Sequence, residues 1–171
     1  MGGTEIERKF LVLDDSWRAL AARSRRMVQG YLIDAGLINS DSGVRCSLRV
    51  RVAGDEAWLN IKSSDLGIER IEYDYAIPVV DAERMLHDFC NGVVEKTRHY
   101  VPVDGFTFEV DEFHGDNDGL VVAELELDHV DAPFPRPSWL AKEVSGARRY
   151  YNLNLLHHPY SRWSATERNG D

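Results

Sequence analysis

The chain has 171 residues, 43% hydrophobic and 29% charged, which suits one folded domain with its own core and excludes a disordered chain. Its net charge of −9 argues against general nucleic-acid binding, though a cleft of different sign can still take an anionic small molecule. No apolar run reaches the ~18 residues of a membrane span, "MGGTEIERKF" lacks a secretory h-region, and Cys46 and Cys90 make no C-x-x-C or disulfide framework, so a cytoplasmic protein with reduced thiols is expected.

In chain order, eight segments alternate in character and are rich in Val, Ile, Tyr, Phe and Thr, as strands are. They are residues 4–12, 27–34, 44–52, 57–63, 68–77, 93–101, 106–113 and 120–130. "AGDE" at 53–56 and "VDG" at 103–105 read as tight hairpin turns, and "HGDNDG" at 114–119 as a longer polar loop. The connections mostly leave no room for crossover helices, so the sheet is expected to be mainly antiparallel. Three helices are expected, at 14–24, 81–92 and 137–146; the second places Ala82, Met85, Leu86 and Phe89 on one face. Residues 1–156 read as one domain and 157–171 as a loosely held tail.

Successive side chains of a strand point to opposite sheet faces. In "TEIERKFLV" this puts Glu5, Glu7 and Lys9 on one face, against Ile6 and Phe10 with Arg8. The same test puts Arg45, Arg49 and Arg51 opposite Val44, Leu48 and Val50, and Lys62 opposite Ile61. Arg70, Glu72 and Asp74 lie opposite Ile71, Tyr73 and Tyr75; Lys96 pairs with Arg98, Glu109 with Asp111, and Glu124 with Glu126. For one strand alone, a solvated face explains the pattern. For the set it does not, because charge is sorted by strand, and like charges side by side cost energy unless a counter-ion sits between them.

The bases form ladders suited to successive phosphates. The paired carboxylates are hard oxygen ligands of the kind that hold Mg²⁺ or Mn²⁺. Together they suit polyphosphate chemistry, in which positioning, charge neutralisation and metal activation of water act together. The expected fold is therefore α+β: an eight-stranded, mainly antiparallel closed β-barrel with the charged face inward and a few helices packed outside. Six scattered histidines make no H-x-x-x-H spacing, and there is no Walker A loop, G-x-G-x-x-G or G-x-S-x-G.

"EIERKF" fits an E-x-E-x-K signature, and "QGYL", "LRVR", "NIKS", "ERIEYDY", "VEKTRHY", "FEVDEF", "AELEL" and "KEVSGARRYYN" follow in order. With these segments the chain resembles the CYTH superfamily, the triphosphate tunnel metalloenzymes, over nearly its whole length. It is most similar to the small bacterial members acting on tripolyphosphate. The resemblance implies an eight-stranded tunnel, one or two divalent metals and a triphosphate substrate. Family activities include inorganic tripolyphosphatase, thiamine triphosphatase, class IV adenylate cyclase and RNA triphosphatase.

Carried over, Glu5 and Glu7 belong to the metal-binding part, with Glu124 and Glu126 on the far wall and Asp111 beside them. Arg49, Arg51, Lys62, Lys96 and Arg98 match the phosphate-binding bases, and Arg70 and Glu72 a charged pair lining the tunnel. Lys9 closes the signature, and Tyr31 matches a tyrosine that, paired with a lysine, is linked to water activation. Arg149 is the better phosphate candidate of Arg148 and Arg149. Tyr151 stands where some relatives carry lysine, and Arg45 is an additional base.

The leading expectation is a metal-dependent hydrolase cleaving the terminal phosphoanhydride of inorganic tripolyphosphate. An adenylate cyclase or thiamine triphosphatase on the same fold ranks second. A non-catalytic polyphosphate or nucleotide sensor ranks third, since it has no need of carboxylate pairs on opposing strands. The expected partner is a small-molecule triphosphate, with no nucleic acid and no membrane; oligomeric state is not readable.

Overall fold

The computed structural model describes residues 3–33, 46–63 and 69–168. Nine strands lie among the described residues: β1 (Gly3–Val12), β2 (Arg23–Ile33), β3 (Cys46–Ala53), β4 (Glu56–Ser63), β5 (Glu69–Ile77), β6 (Val94–Val103), β7 (Phe106–Phe113), β8 (Val121–Glu126) and β9 (Leu140–Glu143). All their pairings are antiparallel, in the order β5-β4-β3-β2-β6-β7-β8-β1-β9. Both expected hairpin turns are present. Gly54 has φ of 59° between β3 and β4, and Asp104 and Gly105 have φ of 47° and 84° between β6 and β7. Two successive positive-φ residues match the right-handed twist of the flanking strands, which is why Asp-Gly sits there.

The expected eight-stranded closed barrel is corrected in two respects. A ninth strand is present, and the sheet is not one uniform closed ring: it runs from β5 to β9, with the ten residues of β1 divided among three partners. Residues 3–6 pair with β5, 7–11 with β8, and Phe10 and Val12 with β9. β9 falls where a helix was expected at 137–146. Backbone groups at the end of β1 would otherwise form an unpaired edge, and pairing them outweighs the helix propensity of "LAKE". The donors Leu13 N–H to Trp139 O and Val144 N–H to Lys9 O, both 2.8 Å, complete this seam.

The helix expected at 14–24 is only a short 3-10 segment, Ser16–Leu20. From Arg23 onward the chain is captured by β6 as part of β2, and the Ala22 amide already donates to Tyr100 O at 2.9 Å. The helix expected at 81–92 is α1 (Val79–Phe89). Two shorter helices follow, α2 (Asn152–His157) and α3 (Ala165–Arg168).

Among the described residues three apolar clusters hold the fold, each dictated by strand parity. On the outer face, Phe10, Val101, Phe108, Val110, Ala123 and Leu125 pack beneath Trp17 and Trp139. Also outside, Val50 and Ala57 receive Ala82 of α1. The third cluster lies on the charged face itself. Val94, Phe113 and Val122 share parity with Lys96, Asp111 and Glu124, and they pack with Val144, Tyr150, Leu155 and Trp163. Residues read from the sequence as tail thus contribute Trp163, 5% exposed, to an apolar packing at one end of the charged face. Trp163 donates its indole N–H to His158 O at 2.9 Å, with the Tyr150 and Tyr160 rings 5.1 and 5.2 Å away.

Candidate active site

Register brings the acids of β1, β7 and β8 together. Glu7 lies opposite Glu126 and Lys9 opposite Glu124, while Glu124 also faces Glu109 on its other side. Carboxylates so placed repel unless cations stand among them. Lys9 supplies one, bonded to Glu124 with its Nζ 3.3 Å from Glu7. Arg98 supplies another: its Nε and Nη2 donate to the two Asp111 oxygens, both at 2.7 Å, and it also bonds Glu109 and Glu124. Asp111 is fully buried and accepts from Lys96 as well.

Electrostatics follow from these contacts. Burial opposes the Lys9 charge, but Glu124 and Glu7 outweigh it and hold its pKa up. Burial also opposes the Glu124 charge, yet Lys9 and Arg98 hold its pKa well below the carboxylate range. Lys96 goes the other way: burial and then the Arg98 charge lower it despite Asp111. Glu126 reaches no such balance. Desolvation by the wall, then the facing carboxylates Glu109, Glu5 and Glu7, push its pKa up to about 7. Glu109 is raised chiefly by burial. Within this set of hard oxygen donors, Glu124 is compensated by its bases, whereas burial and neighbouring carboxylates hold Glu109 and Glu126 up.

The opposite wall, on β3, β4 and β5, is basic. Lys62 Nζ reaches Glu5 at 2.7 Å and Glu72 at 3.2 Å. Arg49 and Arg51 are held more loosely, with Glu72 4.0 Å from the first and Asp74 3.9 Å from the second, beyond hydrogen-bond reach. The Nε atoms of both are buried without a hydrogen-bond partner. Burial, then the charge of Arg49, lowers the pKa of Arg51. These two guanidiniums sit side by side on one strand, as successive phosphates require.

The remaining expected residues are placed as follows. Tyr31 lies on β2 opposite Arg49. Arg149 follows β9 in the 3-10 segment Arg148–Tyr150, with a buried Nη1 lacking a partner and its guanidinium 6.0 Å from the Trp163 ring. Tyr151 donates its hydroxyl to Ser145 O at 2.9 Å. Arg45 and the side chain of Arg70 lie outside the described residues; the backbone of Arg70 pairs with Glu5.

Sequence reasoning passed over two neutral residues on the charged face. Asn60 is 1% exposed and donates to Asp74 at 2.9 Å and to Glu72, which aims both acids at the arginines. Gln29, also 1% exposed, lies opposite Arg51. Sorting by sign cannot find uncharged side chains, but their parity with Tyr31, Arg49 and Arg51 was legible.

The donor set suits a divalent cation such as Mg²⁺ or Mn²⁺: Glu5, Glu7, Glu124 and Glu126 give hard oxygens, and a cation beside Glu126 would offset the burial and neighbouring carboxylates that raise it. Among the described residues no three such side chains already form a cage, consistent with the bonds that Lys9, Lys62 and Arg98 make to them.

A model of the CYTH domain matches residues 3–151. The chain is 44% identical to an inorganic triphosphatase of Acetivibrio thermocellus, over 92% of this chain and 96% of that protein. It is 37% identical to an inorganic triphosphatase of Nitrosomonas europaea, over 89% and 96%. Its fold superposes on the crystal structure of an inorganic triphosphatase with a TM-score of 0.61 and 34% identity, covering 89% of this chain and 93% of the other. A Hippeastrum protein named for adenylyl cyclase that reveals a dominant triphosphatase activity shares the fold alone, with a TM-score of 0.53, 17% identity and 73% and 80% coverage. With the ordered strands, the sorted charges and a match spanning most of its length, the chain belongs to the CYTH domain family.

Proposed function

We propose that this protein is a metal-dependent inorganic triphosphatase that removes the terminal phosphate of tripolyphosphate within a tunnel formed by its charged face. One observation carries the reading: on one polar face, two adjacent guanidiniums with unpartnered Nε atoms stand across from a carboxylate crowd whose Glu126 is raised to about 7. A polyanion satisfies the first and a divalent cation the second. The two relatives bearing the inorganic triphosphatase name, each nearly full length, point the same way.

In this reading Arg49, Arg51 and Lys62 hold the phosphate chain, with Lys96, Arg98 and Arg149 bounding it and Arg70 and Arg45 adding charge. Glu72 orients Arg49 and Lys62. Glu5, Glu7, Glu124 and Glu126 hold Mg²⁺ or Mn²⁺, and Glu109 joins that wall. Asp111, tied to both Lys96 and Arg98, anchors these two bases rather than offering a vacant ligand. Bound there, a divalent cation polarises a phosphoryl oxygen and lowers the pKa of an attacking water. Lys9 spaces Glu7 from Glu124, and the Tyr31 hydroxyl stands on the phosphate-binding wall beside Arg49. Among the described residues no helix is long and apolar enough to cross a membrane; we place the protein in the cytoplasm, where its two free cysteines would stay reduced.

The test is phosphate release from tripolyphosphate, ATP, thiamine triphosphate and pyrophosphate with Mg²⁺, Mn²⁺ or EDTA. Release from tripolyphosphate that EDTA abolishes is expected. Turnover indifferent to EDTA, or conversion of ATP to a cyclic product without tripolyphosphate cleavage, would overturn the assignment.

A further inference from the structure

Among the described residues, the buried side-chain atoms without a hydrogen-bond partner are N–H donors with one exception, the carbonyl oxygen of Gln29. The donors on the charged face are readily accounted for, since a triphosphate brings acceptors in abundance. An acceptor among them is not, because an ionised phosphate oxygen has no proton to give it. Gln29 is 1% exposed and lies on β2 between Arg51 of β3 and Val94 of β6. Its Nε2 points to the Tyr31 hydroxyl at 3.5 Å. That leaves Oε1 as the end of the amide without a partner, and the nearby guanidiniums favour that polarity over an exposed NH₂.

From this geometry we infer that Gln29 orients the attacking water, accepting a hydrogen bond from one of its O–H groups so that a lone pair faces the terminal phosphorus. The inference rests on the triphosphatase reading and deepens it by naming the group that positions the nucleophile. A carboxamide suits this role because it fixes the direction of an O–H without becoming a base, so water is aimed but not trapped as a buried ion pair. In the step, the water oxygen forms a bond to the terminal phosphorus. The bridging P–O bond breaks, its electron pair leaves with pyrophosphate, and the released proton ends on the products. The oxygen selects against a phosphate oxygen in its own position, which keeps that place for a proton-bearing ligand. The Nε2 contact steadies the amide and the Tyr31 hydroxyl together.

The test compares wild type with Gln29→Met, which keeps length and apolar volume but neither donates nor accepts as an amide does. Tripolyphosphate turnover gives kcat and KM, and calorimetric titration with diimidotriphosphate in the presence of Mg²⁺ gives Kd. The expected result is a loss of about 10- to 100-fold in kcat, the scale of a misplaced reactant, with Kd for the analogue within about threefold of wild type. Unchanged kcat overturns the inference. So does a tenfold weaker Kd at unchanged kcat, which would make the amide a phosphate donor instead. Should Gln29→Met fail to fold, Gln29→Asn retracts the same carboxamide by one methylene and is read by the same kcat-against-Kd split. A wild type inactive on tripolyphosphate would overturn the triphosphatase reading, and this inference with it. An active wild type beside an unaffected variant overturns this inference alone.

Discussion

Arg49 and Arg98 lie on the same charged face, nearly equally buried at 7% and 8% exposure, yet their surroundings assign them opposite roles. Arg98 bonds three carboxylates, one of them the fully buried Asp111. Removing it leaves buried negative charge uncompensated, a loss of about 3–5 kcal/mol. Arg49 has its nearest described carboxylate at 4.0 Å and an unpartnered Nε, so its removal frees little that is buried and charged. We therefore expect Arg98→Ala to shift the urea midpoint strongly, and Arg49→Ala to change stability by only about 1 kcal/mol. Conversely, Arg49→Ala should raise KM for tripolyphosphate about 10- to 100-fold, the value of a charge-assisted hydrogen bond. Equal destabilisation by the two substitutions would refute this division. The charged residues themselves were legible because strand parity exposes them. Which base meets which acid was not, since Arg98 and Glu124 are joined only by a register running through β6, β7 and β8.

Among elements, the junction of β2 with α1 shows how a strand of the site is held from behind. Gly30 lies between Gln29 and Tyr31, and its missing side chain faces the outer layer. A Cβ there would meet Cys90 Sγ at 2.7 Å, Cys90 Cβ at 2.9 Å and a Leu86 methyl at 3.0 Å. Gly30→Ala must push the end of α1 away or bend β2, and such overpacking costs about 1–3 kcal/mol. A lowered Tm with reduced tripolyphosphate turnover is the expected outcome; an unchanged Tm would mean that α1 yields without cost. Strands were readable element by element because each has one apolar and one polar face, which leaves a period-two trace in the sequence. β9 left no such trace. Four residues of helix-forming composition become a strand only because the end of β1 needs a partner, a demand that arises about 130 residues earlier in the chain. The short Ser16–Leu20 segment failed as a helix for a related reason, since pairing with β6 claims the residues after it.

At the scale of the molecule, the charged face is a set of mutual ion pairs. Lys9 is bonded to Glu124 and lies near Glu7, Lys62 contacts Glu5 and Glu72, Lys96 contacts Asp111, and Arg98 joins Asp111, Glu109 and Glu124. Bases and acids that the proposed reaction assigns to different ligands thus satisfy each other in this structure. A cation drawn to the carboxylates must compete with Lys9, Lys62 and Arg98, and a triphosphate must compete with the carboxylates for those same bases. Each ligand therefore releases groups that the other needs, so their binding should be positively coupled, and the coupling must be reciprocal. With diimidotriphosphate saturating, calorimetric titration should show Mg²⁺ binding tighter by about 5- to 150-fold, equivalent to about 1–3 kcal/mol, after correction for the Mg²⁺–analogue complex in solution. Glu5→Gln removes the acid in closest contact with Lys62. It should weaken Mg²⁺ binding while reducing the coupling, because Lys62 then has less to surrender. Independent binding of the two ligands in the wild type would mean that the ion pairs persist in the loaded protein, and that the bases bonded to acids here are structural rather than substrate-binding.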